Sequence, residues 1–514
     1  MLTAIILSLL PCAQLDAIGD TLRAATDKTS YEKGAYSAAK ELAEIRSADA
    51  MELRLELFDD KMDTYRGVYL RDWFFSGFLK ASTAEEADLM ADAATDKKRS
   101  EWQRVLLLRA LGRCTATVSG KLMLDKSFDK APVAVRHEWS ATLGILLHEK
   151  RIDLSKVKPG KLESAEAVVR ARIAAPKNDP WPGLTYLPTL TDVEIEQLES
   201  LIRAAKKPEH AGDCAVALRI LASHEEAWPA FAQSATSVFQ RGIGSPKAVY
   251  IDAAVKNKAV SAVPALIQAL ESESAKQPNR FSGDIGAALR SLTGQGFGDD
   301  SKIWNQWYSS EGANWLQNAL AGDASGKASE RVERDTVARF FGLAIDSANV
   351  VFLVDGSGSM SMSKLGDLSC AEAAAKEVEG FIKLLPKGVM FQVVVVEAEP
   401  VFAFKKMMPA NKGNAAKALK FLHSRPFKST SALYDALEQV QQDPMVDTIV
   451  VISDGGSSAG KHQYNGHILD GASRLYERSG VRIHTVLVTD STKHEKFMKE
   501  LASLTGGRMT VPKD

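Results

Sequence analysis

The chain is poor in cysteine. Cys12, Cys114, Cys214 and Cys370 are too few in 514 residues for a disulfide framework, and none stands in a C-x-x-C pair for zinc or redox work. Each is expected to be a small buried apolar residue. Aromatic residues are also scarce at 7%, which suits Ala/Leu-rich helices better than an all-β sandwich. Neither charge is in real excess: Lys+Arg number 64 against Asp+Glu 65, a net charge of −1. Phosphate affinity rests on clustered cationic charge, so this balance argues against a nucleic-acid binder. No apolar stretch is long enough to span a bilayer, and the scattered histidines form no H-E-x-x-H.

What is present is ordinary globular material, 45% hydrophobic and 25% charged, in a length that calls for more than one core. The chain opens on Met1–Leu10, MLTAIILSLL, a run of the length of a signal-peptide core. It lacks a basic n-region and a clean A-x-A site, and Pro11 before Cys12 spoils a lipoprotein box. The reading is a leader over 1–17 and an exported protein, periplasmic or extracellular. The alternative is a cytoplasmic protein with a buried N-terminal helix.

From about Asp20 to Leu320 the apolar spacing is helical. Trp102, Val105, Leu108 and Leu111 share one stripe, with Arg104, Arg109 and Arg113 off it. His137-Glu138 and His148-Glu149 are expected on solvated helix faces. Val263, Leu266, Ile267 and Leu270 follow the i, i+3, i+4, i+7 template, and Ile285, Ala288, Leu289 and Leu292 repeat it. Ile303, Trp304, Trp307 and Tyr308 load a third helix, and the polar turn Lys256-Asn257-Lys258 separates two others. Short helices repeating one buried face mark a solenoid. The segments Ala262–Leu270 and Gly283–Leu289 resemble helices of HEAT repeats. Lys177–Thr191, with three prolines and a glycine, interrupts the array.

Ala321–Asp335, small and charged, reads as a linker. Beyond it come short β-branched runs at 350–354, 391–396, 449–452 and 483–488, mostly separated by helical stretches. That alternation means an α/β fold with a mainly parallel sheet. The whole chain thus reads as a multidomain protein: a leader over 1–17, a helical region over 18–205, HEAT-like repeats over 206–318, a linker over 319–339, and a doubly wound α/β domain over 340–514.

The first strand of that domain ends in Asp355-Gly356-Ser357-Gly358-Ser359, and the third ends at Asp454. Hydroxyls and carboxylates at strand carboxyl ends are hard oxygen donors, suited to Mg²⁺ or Mn²⁺. These residues resemble the von Willebrand factor A family, whose metal-ion-dependent adhesion site reads D-x-S-x-S … T … D. Asp355, Ser357 and Ser359 supply the first element and Asp454 the last. The middle Gly-Gly-Thr is here Ser429-Thr430-Ser431, so either Ser431, by register with the helix from Ala432, or Thr430 stands for the threonine. The resemblance covers about 340–511. It implies a metal-bound site that captures a carboxylate of a protein partner; a metal-free scaffold is the other reading.

Enzyme motifs are weaker. Gly455-x₄-Gly460-Lys461 has His462 where a phosphate loop needs Ser or Thr, and Gly456–Gly460 lacks the helix that a nucleophile elbow requires, which leaves a hydrolase with Ser458, Asp490 and His494 as the remote option. Gly294-x-Gly296-x-Gly298 follows a helix and reads as a cap and turn.

Overall fold

The computed structural model describes residues 12–24, 34–58, 70–174, 182–276, 279–321, 339–386, 388–489 and 494–512. Met1–Leu10 and nearly all of the expected linker lie outside the described residues, as does Asp490. The chain forms two compact units, 1–190 and 191–514.

The first unit is helical, with one parallel two-residue bridge between Val118–Ser119 and Ile152–Asp153. Its helices start where the sequence supplies caps. Ser100 accepts the Gln103 N–H while Gln103 reaches back, opening the helix Glu101–Arg113. That helix is buried on more than one stripe. Arg104 lies inside, donating to the Ala94 carbonyl at 2.8 Å, and Arg109 meets Glu138 at 3.5 Å. His137 and Glu138 therefore do not sit on a solvated face. His137 is 5% exposed, because the helix Val133–His148 is packed from several sides; His148 and Glu149 are exposed as expected.

Gly144 of that helix touches the turn Pro182–Tyr186 backbone to backbone: a Cβ there would stand 2.4 Å from the Gly183 carbonyl oxygen. Overpacking of this kind costs about 1–3 kcal/mol. Gly144→Ala should lower the first unit's stability by about 2 kcal/mol, read as a fall in urea midpoint at constant m-value. An unchanged midpoint would mean that the contact yields freely.

The second unit begins with a stacked array of helices: α1 (Asp192–Ala204), α2 (Ala211–Ala222), α3 (Trp228–Phe239), α4 (Gly244–Lys256), α5 (Val263–Ser274), α6 (Arg280–Thr293), α7 (Ser301–Trp307) and α8 (Ala313–Leu320). Over most of its length, α1 to α6, each packs on the next or the next but one. Val263, Leu266, Ile267 and Leu270 are buried, as are Ile285, Ala288 and Leu289. Trp304 and Trp307 are buried, but Ile303 is 44% exposed, so α7 presents only its tryptophans inward. Gly294 is left-handed at φ 77° and closes α6 by donating to the Arg290 carbonyl, the cap read from sequence.

The main sheet has seven strands: β1 (Asn349–Asp355), β2 (Met390–Val396), β3 (Pro400–Phe402), β4 (Met408–Pro409), β5 (Thr448–Ser453), β6 (Arg482–Leu487) and β7 (Met509–Thr510). Their order is β4-β2-β1-β5-β6-β7, with β3 also on β2. The core pairs β1·β2, β1·β5, β5·β6 and β6·β7 are parallel, and only β3 and β4 run antiparallel. Both faces are covered, which is why the central strands read as unbroken apolar runs. The short helix α9 (Gly358–Met362) follows β1, and Val350, Phe352 and Val354 pack under α10 (Cys370–Leu384) and α11 (Lys412–His423). Val351 and Leu353 pack under α12 (Leu433–Val440), α13 (Asn465–Ser479) and α14 (Glu495–Ser503).

The array and the sheet share one unit through polar residues. Arg219 of α2 pairs with Asp252 of α4 at 2.7 Å and donates to the Glu477 carbonyl of α13. Tyr476 donates to Asp252 at 3.0 Å. Arg280 of α6 donates to the Gly480 carbonyl at 2.8 Å and to the Asp447 carbonyl, at the starts of β6 and β5.

Candidate functional site

From β1 the chain winds one way to β2 and the other way to β5, so winding reverses outside the carboxyl ends of β1 and β5. Crevices form at such points in open α/β sheets. Asp355 is the last residue of β1, and Asp454 follows β5 directly.

Gly356 allows the turn after Asp355: a Cβ there would meet the Val395 side chain at 2.7 Å. Its N–H donates to the Val396 carbonyl at 2.9 Å, bending the loop over β2. The buried Asp355 carboxylate then accepts the Ser357 N–H at 2.9 Å and the Ser453 hydroxyl at 2.5 Å. Burial pushes its carboxyl above the ordinary value, and the Asp454 charge adds to this, against the bonds from Ser453 and Ser357. Ser357 and Ser359 hydroxyls lie 2.9 Å apart, and Ser359 donates to Asp454 at 3.1 Å. Asp355, Ser357, Ser359 and Asp454 are thus brought together from loops 95 or more residues apart.

The middle element approaches the first as a single parallel bridge, Ser357 with Ser429. Ser431 is 2% exposed and lines a crevice with Asp355, Ser453, Gly455, Gly456 and Ser457. Thr430 is exposed. The backbone of Ser431 is gripped by the loop after Asp454: its carbonyl accepts the Ser457 hydroxyl at 2.7 Å and the N–H groups of Ser458 and Ala459 at 2.9 and 3.0 Å. Its own N–H donates to the Ser458 hydroxyl at 3.1 Å.

Three residues here escaped the sequence reading. Ser453 holds Asp355, Ser457 holds Ser431, and Ser363 reaches the second Asp454 oxygen at 3.5 Å. Ser453 had one available signal, a polar residue ending the apolar strand Thr448–Ser453. The remote hydrolase option gains nothing: Gly455–Tyr464 is loop, and Lys461 is tied to Glu438 and Asp435. The His494 ring lies against Gly455 and Gly456, where a Cβ would stand 2.4 and 3.0 Å from it. The donor set is all oxygen, two carboxylates and several hydroxyls, and fits a hard divalent cation.

The domain is a doubly wound, mostly parallel sheet with hydroxyls and carboxylates at its winding reversal. Residues 348–511 match the von Willebrand factor type A domain, and such a domain is present in the C-terminal region. Domains of this type are typically non-catalytic adhesion or interaction modules. Among solved structures, a von Willebrand factor type A protein from Catenulispora acidiphila is 16% identical with a TM-score of 0.28, covering 32% of this chain and 38% of that one. The chain therefore spans well under half of that relative's length. The conserved hypothetical protein BatB from Bacteroides thetaiotaomicron is 14% identical with a TM-score of 0.26, covering 33% of this chain and 91% of that one. The RO (RSR) protein of Deinococcus radiodurans is 14% identical with a TM-score of 0.22, covering 93% and 90%. No curated protein is matched. No helix among the described residues is long and apolar enough to cross a membrane.

Proposed function

We propose that this protein captures a protein partner through a divalent cation, Mg²⁺ or Mn²⁺, held by Asp355, Ser357, Ser359, Asp454 and the hydroxyl of Ser431 or Thr430. The observation that carries the reading is the bonded chain from Ser357 through Ser359 to Asp454 at the winding reversal. Burial of Ser431 beside Asp355, with Thr430 exposed, favours Ser431 as the third hydroxyl. A hard divalent cation prefers oxygen ligands, carboxylates among them, so an Asp or Glu from the partner is the proposed further ligand. Helices over 206–318, read as HEAT-like, give a second surface, and 1–17 is read as an export leader.

Titrating Mg²⁺ or Mn²⁺ into the full chain should raise its melting temperature, since a ligand at a hundred times its Kd stabilises the native state by about 2.7 kcal/mol. Asp355→Ala should remove that rise, and chelator should release a bound partner. A wild-type melting point indifferent to millimolar metal would leave the metal-free scaffold as the function.

A further inference from the structure

We propose that the partner is an acidic protein segment, laid along α11 and ending at the site between β1 and β5. This deepens the metal reading and rests on it only for the anchoring acid. In a chain of net charge −1, the stretch from Pro400 to Tyr434 contains seven Lys and Arg residues and not one Asp or Glu. Lys405, Lys406, Lys412, Lys417, Lys420 and Lys428 are all exposed. None of the six forms an ion pair with a described residue. The nearby acids are engaged elsewhere: Glu379 pairs with Lys383 at 2.6 Å, and Glu397 with Arg425. Glu399 is an exposed acid just before the stretch.

The fold turns this composition into a track. β4 pairs with the start of β2, at the end of the sheet away from Asp355. α11 then buries Asn414, Ala415, Ala418 and Leu422 against the sheet and climbs back toward the carboxyl ends. Helical spacing leaves Lys412, Lys417, Lys420 and His423 on the outer arc. The chain then passes Lys428, whose Cα lies 4.0 Å from the Cβ position of Gly358, and Ser361 donates to the Phe427 carbonyl at 3.1 Å. The cations thus run from the far end of α11 to the rim of the candidate site. Lys420 and His423 also suit the carboxyl end of the helix dipole, but Lys412 and Lys417 have no such role.

Twelve helical residues span about 18 Å, and an extended peptide covers that in about six residues. An acidic peptide is favoured over a nucleic acid because the cation proposed at the end of the track would take a carboxylate as its further ligand.

The probe is a fluorescent Asp/Glu peptide of about eight residues, followed by anisotropy on the full chain. It should bind in Mg²⁺ and weaken steeply as salt rises from about 50 to about 300 mM. The triple variant Lys412→Glu, Lys417→Glu, Lys420→Glu should bind about tenfold or more weakly, yet keep the wild-type Mg²⁺-induced melting shift. Equal binding by the triple variant, with wild-type binding still metal-dependent, overturns the track and spares the metal site. Binding that survives chelator and Asp355→Ala but fails in the triple variant does the reverse. A single-stranded oligonucleotide of equal charge that binds as tightly as the peptide overturns the protein partner.

Discussion

Replacing Arg280 by alanine should destabilise the second unit by about 3–5 kcal/mol, the usual loss when one member of a buried charge network is removed. Arg280 is 3% exposed. Its guanidinium ties the carbonyls of Asp447 and Gly480 to α6 and lies 3.1 Å from Asp284. Asp284 also pairs with Arg482, which lies 3.7 Å from Asp346. Alanine would orphan the Gly480 carbonyl, leave the Asp447 carbonyl with only the Arg482 N–H at 3.0 Å, and leave Asp284 with one cation. The measurement is urea unfolding of the full chain, with Lys496→Ala as control. Lys496 is 89% exposed in its pair with Glu500 and should change stability by about 0.5 kcal/mol or less. A loss below about 1 kcal/mol for Arg280→Ala would show that the array and the sheet do not depend on this contact.

His484 should make stability fall as pH drops below about 6.5. His484 is buried in β6 and accepts the Arg508 N–H at its Nδ1, 3.1 Å away. Burial first, then the charges of Arg482 and Arg280, hold its pKa down at about 3. The unfolded chain therefore takes up this proton near pH 6.5, while the folded chain resists until about pH 3. Between those limits the unfolded state binds more protons, so the contribution is complete above the upper limit and drains away below it. Its slope is up to about 1.4 kcal/mol per pH unit, and its total on the order of 5 kcal/mol. Asp447 works the other way, because burial pushes its carboxyl up despite Arg280 and donated bonds from Ser347, Thr448 and Asn349. His484→Asn keeps an acceptor for Arg508 and removes the titration. Its unfolding free energy should change less than the wild type's between pH 7.5 and 5; superimposable profiles would exonerate His484.

The central strands were legible because burial on both faces writes itself as consecutive β-branched residues. Asp355, Ser357 and Ser359 were legible because they are close in sequence. Ser453, Ser457 and Ser363 were not, since a serine that holds another side chain looks like any serine at a loop. The edge strands β3, β4 and β7, two or three residues each, leave no period. The basic track was missed for another reason: a net charge of −1 averages it away, although the interval from Pro400 to Tyr434 was there to be counted. Composition also marks 319–339 as a break, while the helices before it and the sheet after it share one compact unit. Single residues such as Arg219 and Arg280 make that union, and single residues have no periodicity. His137 followed a helical template onto the wrong side because its helix has several buried sides.

The grip of the Ser457–Ala459 loop on Ser431 has a dynamic consequence. Four hydrogen bonds join the backbone of Ser431 to that loop, and Leu433 adds a fifth through its N–H to the Ser457 hydroxyl at 3.2 Å. Neither segment can open without breaking bonds of the other, so the two share one opening free energy and their amides exchange with solvent as a set. A partner that tugs on the Asp454 side of the crevice therefore works against the Ser431 side as well, and the load spreads across β5 and α12 rather than onto one flexible turn.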